Sequence, residues 1–223
     1  MDLVVVKIGG SLLRLPGGLR AFCKELPSVK KLTKFIIVPG GGVFADDVRK
    51  LYNKLNLSDS IAHFTAIIAM DMYGLILSDL IPHSKPVMSL YEAKNELKRN
   101  IIPIVLPSHI MMSVDVLKHS WEVTSDSISA YIAHLLGAQK LVLVKDVDAL
   151  YSSNPKVDKN ATIIESIKAS QLACLNTSTC TDKMLPKLLI DYSLECIIVG
   201  PNVKNLIKAL KGGKFKGTRV IPR

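Results

Sequence analysis

Apolar residues in this chain gather in short unbroken runs rather than in strict alternation. Leu3 to Val6 with Ile8, Phe35 to Val38, Ile101 to Leu106, Leu141 to Val144 and Cys196 to Val199 each read as a strand buried on both faces. A last short strand is expected at Gly217 to Ile221. Between the runs the spacing becomes helical. Phe44, Val48, Leu51, Tyr52 and Leu55 share one helix face. Ser58 reads as the cap of an apolar helix over 59–77, and Ser89 with Glu92 has the spacing of a capping box for a helix through Arg99. Ile128, Ile132, Leu135 and Leu136 form the apolar face of a helix opened by 124–127 and closed by Gly137, and Asn202 caps another that ends at Gly212-Gly213. Shorter helices are predicted over 19–26, 166–175 and after Thr181-Asp182, where Pro186 must fall in the first turn. Residues 107–120 and 152–162 read as loops, and Pro103 predicts a bulge or an unpaired position in the third strand. Strands alternating with helices give an α/β class. The expected architecture is a three-layer αβα sandwich on a mostly parallel sheet, in a single domain over residues 1–223.

Composition refines this only in part. A hydrophobic content of 48% with 5% aromatic residues makes the core aliphatic. The most apolar stretch, Ile61 to Leu77, contains His63, Asp71 and Gly74, so it reads as a buried helix rather than a membrane span. Met1-Asp2 leads straight into a strand without a signal peptide. Cys23, Cys174, Cys180 and Cys196 lack metal-type spacing, which fits a reducing cytoplasm. The net charge of +10 is scattered and comes with no stacking-aromatic motif, so it argues for phosphorylated ligands rather than for nucleic acid.

Two strand ends carry the candidate chemistry. Lys7-Ile-Gly-Gly-Ser11 and Pro39-Gly-Gly-Gly42 each run from a strand into a glycine turn. The second precedes a helix, whose free N–H groups make an anion cradle. Neither is a dinucleotide fingerprint or a P-loop. Lys7 inside a buried run must pair or meet an anion, unless it snorkels at the strand end. Asp126 suits an N-cap, and Asp146 and Asp148 suit either a turn or nucleotide contact. Ligands of such a sheet belong at the C-terminal strand ends, where both glycine turns and Lys145-Asp146 lie.

Taken in order, these motifs resemble those of the amino acid kinase family, which includes acetylglutamate, uridylate, carbamate and isopentenyl phosphate kinases. The resemblance covers nearly the whole chain. Lys7 to Ser11 is similar to the first-strand motif, Pro39 to Gly42 to the acceptor-side glycine turn, and Ser125-Asp126-Ser127 to the Thr/Ala-Asp-Thr/Ser segment. Val144 to Tyr151 with Pro155 resembles the nucleotide-binding stretch, Asp182 to Lys187 the Gly-Gly-Met-x-x-Lys motif, and Gly217 to Val220 the terminal Gly-Thr strand. Ala149 stands where the family has Gly, and Asp182-Lys183 replaces its Gly-Gly pair.

The resemblance implies an ATP-dependent phosphotransferase using ATP and Mg²⁺, with the acceptor side in the N-terminal half and the ATP side in the C-terminal half. Lys7 and Lys187 would flank the phosphoryl group, and Asp126 would hold both ammonium groups. Gly9, Gly10 and Ser11 would hold the γ-phosphate. Lys145, Asp146, Asp148, Tyr151, Pro155 and Lys183 would line the ATP pocket, with Mg²⁺ on the nucleotide phosphates and no protein metal ligand. Gly40, Gly41, Gly42, Asp46 and Asp47 would face the acceptor. The resemblance also implies a homodimer or higher homo-oligomer with no membrane partner. Where isopentenyl phosphate kinases carry a His shortly after the glycine turn, this chain has Ala45, and where uridylate kinases carry an Arg soon after it, the first Arg after the turn here is Arg49. The chain length and the stretch His119 to Ser127 resemble the branch whose acceptor is a furan-methyl phosphate with an aminomethyl group, converted to the diphosphate. Asp46 or Asp47 would then meet the ammonium, unless both are first-turn carboxylates favoured by the helix dipole. The remaining alternatives are another acceptor within the family (a uridylate, isopentenyl phosphate or acylamino-acid substrate) and a non-catalytic nucleotide-binding protein on the same fold.

Overall fold

A computed structural model describes residues 3–155, 157–175 and 180–223. The expected lead-in of Met1 and Asp2 lies outside the described residues. The strands are β1 (Leu3–Ile8), β2 (Lys34–Pro39), β3 (Ser84–Val87), β4 (Ile102–Val105), β5 (Lys140–Val144), β6 (Ser166–Lys168), β7 (Glu195–Val199) and β8 (Gly217–Ile221). They form one sheet in the order β3-β4-β2-β1-β5-β7-β8-β6. Every pairing is parallel except β7 with β8. The helices are α1 (Gly18–Glu25), α2 (Gly42–Leu55), α3 (Asp59–Leu80), α4 (Leu90–Lys98), α5 (Pro107–Val114), α6 (Ser125–Leu136), α7 (Ala169–Ala173), α8 (Leu185–Asp191) and α9 (Val203–Leu210).

Two apolar layers sandwich the sheet, and the period of two along each strand divides the residues between them. Val5, Ile36, Leu141 and Leu143 pack with Ile128 and Ile132 of α6 and Leu188 of α8. Val4, Val6, Ile37 and Val142 pack with Phe22 of α1, Tyr73 and Leu77 of α3 and Leu206 of α9. This parity matters for the site. Lys7 follows Val5, and Lys145 follows Leu143, so both are aimed at the layer that holds α6.

The predicted caps are present. Ser58 Oγ accepts from Ile61 N–H, Ser89 Oγ accepts from Glu92 N–H, and Asn202 Oδ1 accepts from Asn205 N–H. Glu92 Oε2 accepts in return from Met88 N–H, which satisfies a further free donor. The long helix continues to Leu80, three residues past the predicted end, and seats Ile67 and Met70 against one layer and Tyr73 and Leu77 against the other. By length and composition alone α3 is long and apolar enough to cross a membrane, with a mean hydropathy of 1.5, and 44% of that stretch is buried within the fold, a test that the core helix expected from the sequence also meets.

Three expectations need correction. Residues 107–114 are not loop but helix, seeded by Pro107 in its first turn and anchored by buried Met111. The four-residue edge strand β3 went unpredicted, because a run as short and polar as Ser-Lys-Pro-Val carries no periodic signal. The helix expected over 166–175 is a strand, β6, followed by the single-turn α7. Pro103 takes the second of its two expected forms, a position that makes no pairing to β2. It sits opposite Lys85 in register, and β4 meets β2 only through Ile104 opposite Ile37.

Candidate active site

The C-terminal ends of β1, β2 and β5 open into a cleft of about 320 Å³. Backbone bonds knit its floor: Gly9 N–H donates to Val144 O (2.8 Å), Gly40 N–H to Ile8 O (2.9 Å) and Lys145 N–H to Val199 O (2.9 Å). The two glycine turns press backbone against backbone. A Cβ on Gly10 would stand 2.0 Å from Gly42 N, and Gly42 itself has a φ of +59°, which favours glycine. Gly10→Ala is therefore expected to pry the turns apart, lowering stability by about 1–3 kcal/mol and abolishing anion binding at the turn. Urea unfolding and calorimetry with ATP measure the two effects.

At the floor lies a buried ionic trio. Asp126, in the first turn of α6, has Lys7 Nζ 2.8 Å from Oδ1 and Lys145 Nζ 2.5 Å from Oδ2. All three residues are less than a tenth exposed. The geometry follows from the sheet. Leu143 is the register partner of Lys7, so Lys145 is its diagonal neighbour on the same face of the adjacent parallel strand. Burial pushes the Asp126 carboxyl up, but Lys145 and Lys7 outweigh it and hold the group far below the usual carboxylate range. Burial lowers the Lys7 ammonium and Lys145 lowers it further, so even Asp126 does not restore its ordinary value. Burial also opposes the charge on Lys145, yet the attraction of Asp126 leaves that ammonium above its ordinary value. Within the trio, two cations share one carboxylate, and Asp182 nearby offsets part of the surplus positive charge without bonding either ammonium.

Asp182 fixes the helix that presents Asp126. Its Oδ2 accepts from Thr124 N–H (2.9 Å), Thr124 Oγ1–H (2.9 Å) and Ser127 N–H (3.0 Å), and its Oδ1 from Ser127 Oγ–H (2.6 Å) and Leu185 N–H (2.9 Å). One carboxylate thus caps α6 from a distant loop and opens α8. The residue that replaces the expected Gly-Gly pair is a clamp. Burial pushes its carboxyl up, helped by nearby Asp126, while the Ser127 and Thr124 donors pull it down.

The structure brings together most of the residues singled out from sequence. Lys7, Gly9, Gly10, Ser11, Gly41, Gly42, Asp46, Lys145 and Asp146 line the cleft, and Ser11 Oγ–H donates to Asp146 Oδ1 (2.9 Å). Lys183 sits at the adjoining mouth, 3.7 Å from Glu122. Gly40 is buried behind the turn. Asp148 pairs with Lys216 (2.6 Å), Tyr151 bridges to Ile163, and Pro155 is exposed, so these three lie further along the segment and outside the cleft. Thr218 holds that segment: its Oγ1 accepts from Leu150 N–H (2.8 Å) and donates to Ile164 O (2.6 Å).

Two expectations are not met. Lys187 does not share Asp126 with Lys7. It is exposed on α8 and pairs with Asp191 one turn on (2.6 Å), and the second ammonium on Asp126 belongs to Lys145. Asp47 does not face the cleft, because α2 turns it toward Lys50 (2.7 Å). Asp46 does line the cleft, in an ion pair with Arg14.

Arg14, Arg49, Asp59, His63, Trp121 and Cys180 also line the cleft and went unassigned in the sequence. Trp121 carries the Arg49 guanidinium 4.3 Å above its ring, and His63 stacks on His119 at 4.7 Å. Asp59 accepts from Tyr52 Oη–H (2.7 Å). These side chains come from the 3₁₀ turn after β1, α2, α3, the loop before α6 and the segment before α8, and no sequence spacing unites them. The one usable signal was that Trp121 is the single tryptophan.

Residues 2–190 match the model of the amino acid kinase family. The chain is 34% identical over 222 residues, spanning 97% of each protein, to the [5-(aminomethyl)furan-3-yl]methyl phosphate kinase of Methanocaldococcus jannaschii. It is 25% identical to the uridylate kinase of Archaeoglobus fulgidus, over 94% of this chain and 95% of that protein. The crystal structure of the Archaeoglobus fulgidus uridylate kinase superposes with a TM-score of 0.76 at 22% identity, covering 99% of this chain and 100% of that one. The UMP kinase of Bacillus anthracis superposes with a TM-score of 0.78 at 17% identity, covering 99% and 96%.

Proposed function

This chain belongs to the amino acid kinase family, and from that premise we propose that it moves the γ-phosphoryl group of ATP onto a small phosphate monoester, giving a diphosphate. The observation that carries the reading is the surplus positive charge of Lys7 and Lys145 on Asp126, buried beneath two glycine turns. Phosphoryl transfer asks the protein for alignment and charge neutralisation rather than covalent work. An acceptor phosphate is already ionised at neutral pH, so no general base is needed. One of its oxygens bonds to the γ-phosphorus, the bond from that phosphorus to the β–γ bridging oxygen breaks, and the electron pair leaves with ADP. The N–H group of Gly10 and the Lys7 ammonium hold the oxygens of the group in flight, while Gly9, whose own N–H is spent on Val144 O, lets the backbone approach. Among the described residues no cluster of three His, Cys, Asp or Glu side chains stands ready for a metal. Mg²⁺ would be held by the nucleotide phosphates, where it would neutralise charge. Asp148, Tyr151 and Pro155 would serve the nucleoside end of ATP, and Lys183 its phosphates.

The acceptor we favour is [5-(aminomethyl)furan-3-yl]methyl phosphate, the compound named for the relative at 34% identity. The cleft suits it on chemical grounds. Arg14 and Arg49 offer guanidinium groups to a phosphate, Trp121 and His63 offer ring faces to a flat heterocycle, and Asp46 and Asp59 offer carboxylates to an ammonium. The uridylate reading rests on the same arginines. Exposed Ile61, Ile68, Met72 and Leu75 on α3 support assembly as a homodimer.

A coupled assay of ADP release over a panel of phosphate monoesters separates these readings. Turnover is expected with the aminomethyl-furan phosphate and not with UMP; a preference for UMP would overturn the choice of acceptor. Asp59→Asn or Asp46→Asn should raise the acceptor KM about ten- to a hundredfold, the worth of one charged hydrogen bond, with ATP affinity unchanged. An acceptor KM unmoved in both variants would remove the ammonium contact.

A further inference from the structure

We infer that Lys145, not Lys187, is the second catalytic cation of this site: its ammonium meets the transferring phosphoryl group from the side opposite Lys7. The inference deepens the phosphotransferase reading and rests on it. Lys145 and Lys7 occupy adjacent strands on one sheet face and hold the two oxygens of a single buried carboxylate, at 2.5 and 2.8 Å. Both open onto the same cleft as Gly9, Gly10, Gly41 and Gly42. A structural role does not account for both lysines. One ammonium would neutralise Asp126; Asp182 attracts the second only through space, with its oxygens taken up by Thr124, Ser127 and Leu185, so neither of its oxygens bonds Lys145. Lys187, by contrast, is exposed and already occupied by Asp191 on its own helix.

The step itself is unchanged by this assignment. Negative charge builds on the equatorial oxygens and on the departing β–γ oxygen, and two fixed ammonium groups offset it where one would leave the leaving side bare. Asp126 sets the distance between them and keeps them from repelling each other apart.

The test uses the full-length chain as wild type, Lys145→Met, Lys145→Arg and Lys187→Ala. Lys145→Met leaves the neutral pair Lys7–Asp126, so the fold should survive, and its unfolding midpoint checks that. Lys145→Met is expected to lose about 10²–10³-fold in kcat, with the Kd for MgADP changed by less than about threefold. It should also lose the gain in affinity that aluminium fluoride, a planar phosphoryl mimic, gives to MgADP. Lys145→Arg should recover part of both, and Lys187→Ala should keep both within about threefold. The inference is overturned if Lys145→Met retains kcat and the mimic while Lys187→Ala loses them, or if Lys145→Met weakens MgADP as much as the mimic. A wild type that turns over none of the acceptors, yet binds the mimic in a Lys145-dependent way, would sink the acceptor choice and leave this assignment standing.

Discussion

Lys7→Ala is expected to lower turnover by about 10²–10³-fold, the usual cost of removing one charge donor from a preorganised anion site. Lys7 reaches this role because a parallel strand buried on both faces carries it, without slack, to the C-terminal edge beside Gly9 and Gly10. Its own stability contribution is small or negative. Burial and Lys145 both lower its ammonium below the ordinary lysine value, which means the folded state holds that charge at a cost. Lys7→Ala should therefore fold normally, with an unfolding midpoint equal to or above that of the wild type, while kcat collapses. Loss of activity without loss of stability is the signature of a group kept for chemistry. A variant with unaltered turnover would refute the role, and one that merely unfolds would make the residue structural.

Asp126→Asn should behave the other way, with the largest stability loss of any single change at the site. It leaves two buried ammonium groups facing each other with no carboxylate between them, at a cost of about 3–5 kcal/mol. The sign of the pH dependence identifies the cause. In the wild type, the depressed Asp126 carboxyl contributes stability that is present above the unfolded carboxylate range and is lost only as pH falls through its folded value in strong acid. In Asp126→Asn the attraction that offsets burial is gone, so burial and mutual repulsion should push both ammonium groups down from their ordinary value. Such groups destabilise the fold while charged, and the penalty lifts as pH rises toward the unfolded value. Urea midpoints of Asp126→Asn should thus climb between neutral and alkaline pH. Adding Lys145→Met, which leaves one uncompensated ammonium, should recover part of the loss at pH 7. A flat profile with no recovery would mean that Asp126 acts by capping α6 and not by holding the two cations.

How far the chain could be read in advance depended on the range of the signal. Long apolar runs such as Leu141 to Val144 announce buried strands because every residue in them must leave water, and Ser58, Ser89 and Asn202 announce helix starts because a cap is settled within four residues. Short elements lacked such a signal. The edge strand at 84–87 and the strand at 166–168 exist only because β4 and β8 lie beside them. Helix α5 hid in a mixed stretch whose one clear marker was Pro107.

The sequence by itself determined the class of fold, both glycine turns and Lys7, since each follows from local composition and from the cost of burying a charge. It also placed Asp126 at the start of a helix, but it could not say which cation would come to it. Tertiary structure alone decided that Lys145 takes the second oxygen and Lys187 faces solvent, because strand register sets which side chains become diagonal neighbours on one sheet face. It likewise decided that Asp182 clamps α6 across 55 residues of chain and that Arg14, Asp59, His63 and Trp121 share one cleft. These meetings depend on how separate elements dock, and that information is spread over the whole core rather than written at the residues that meet.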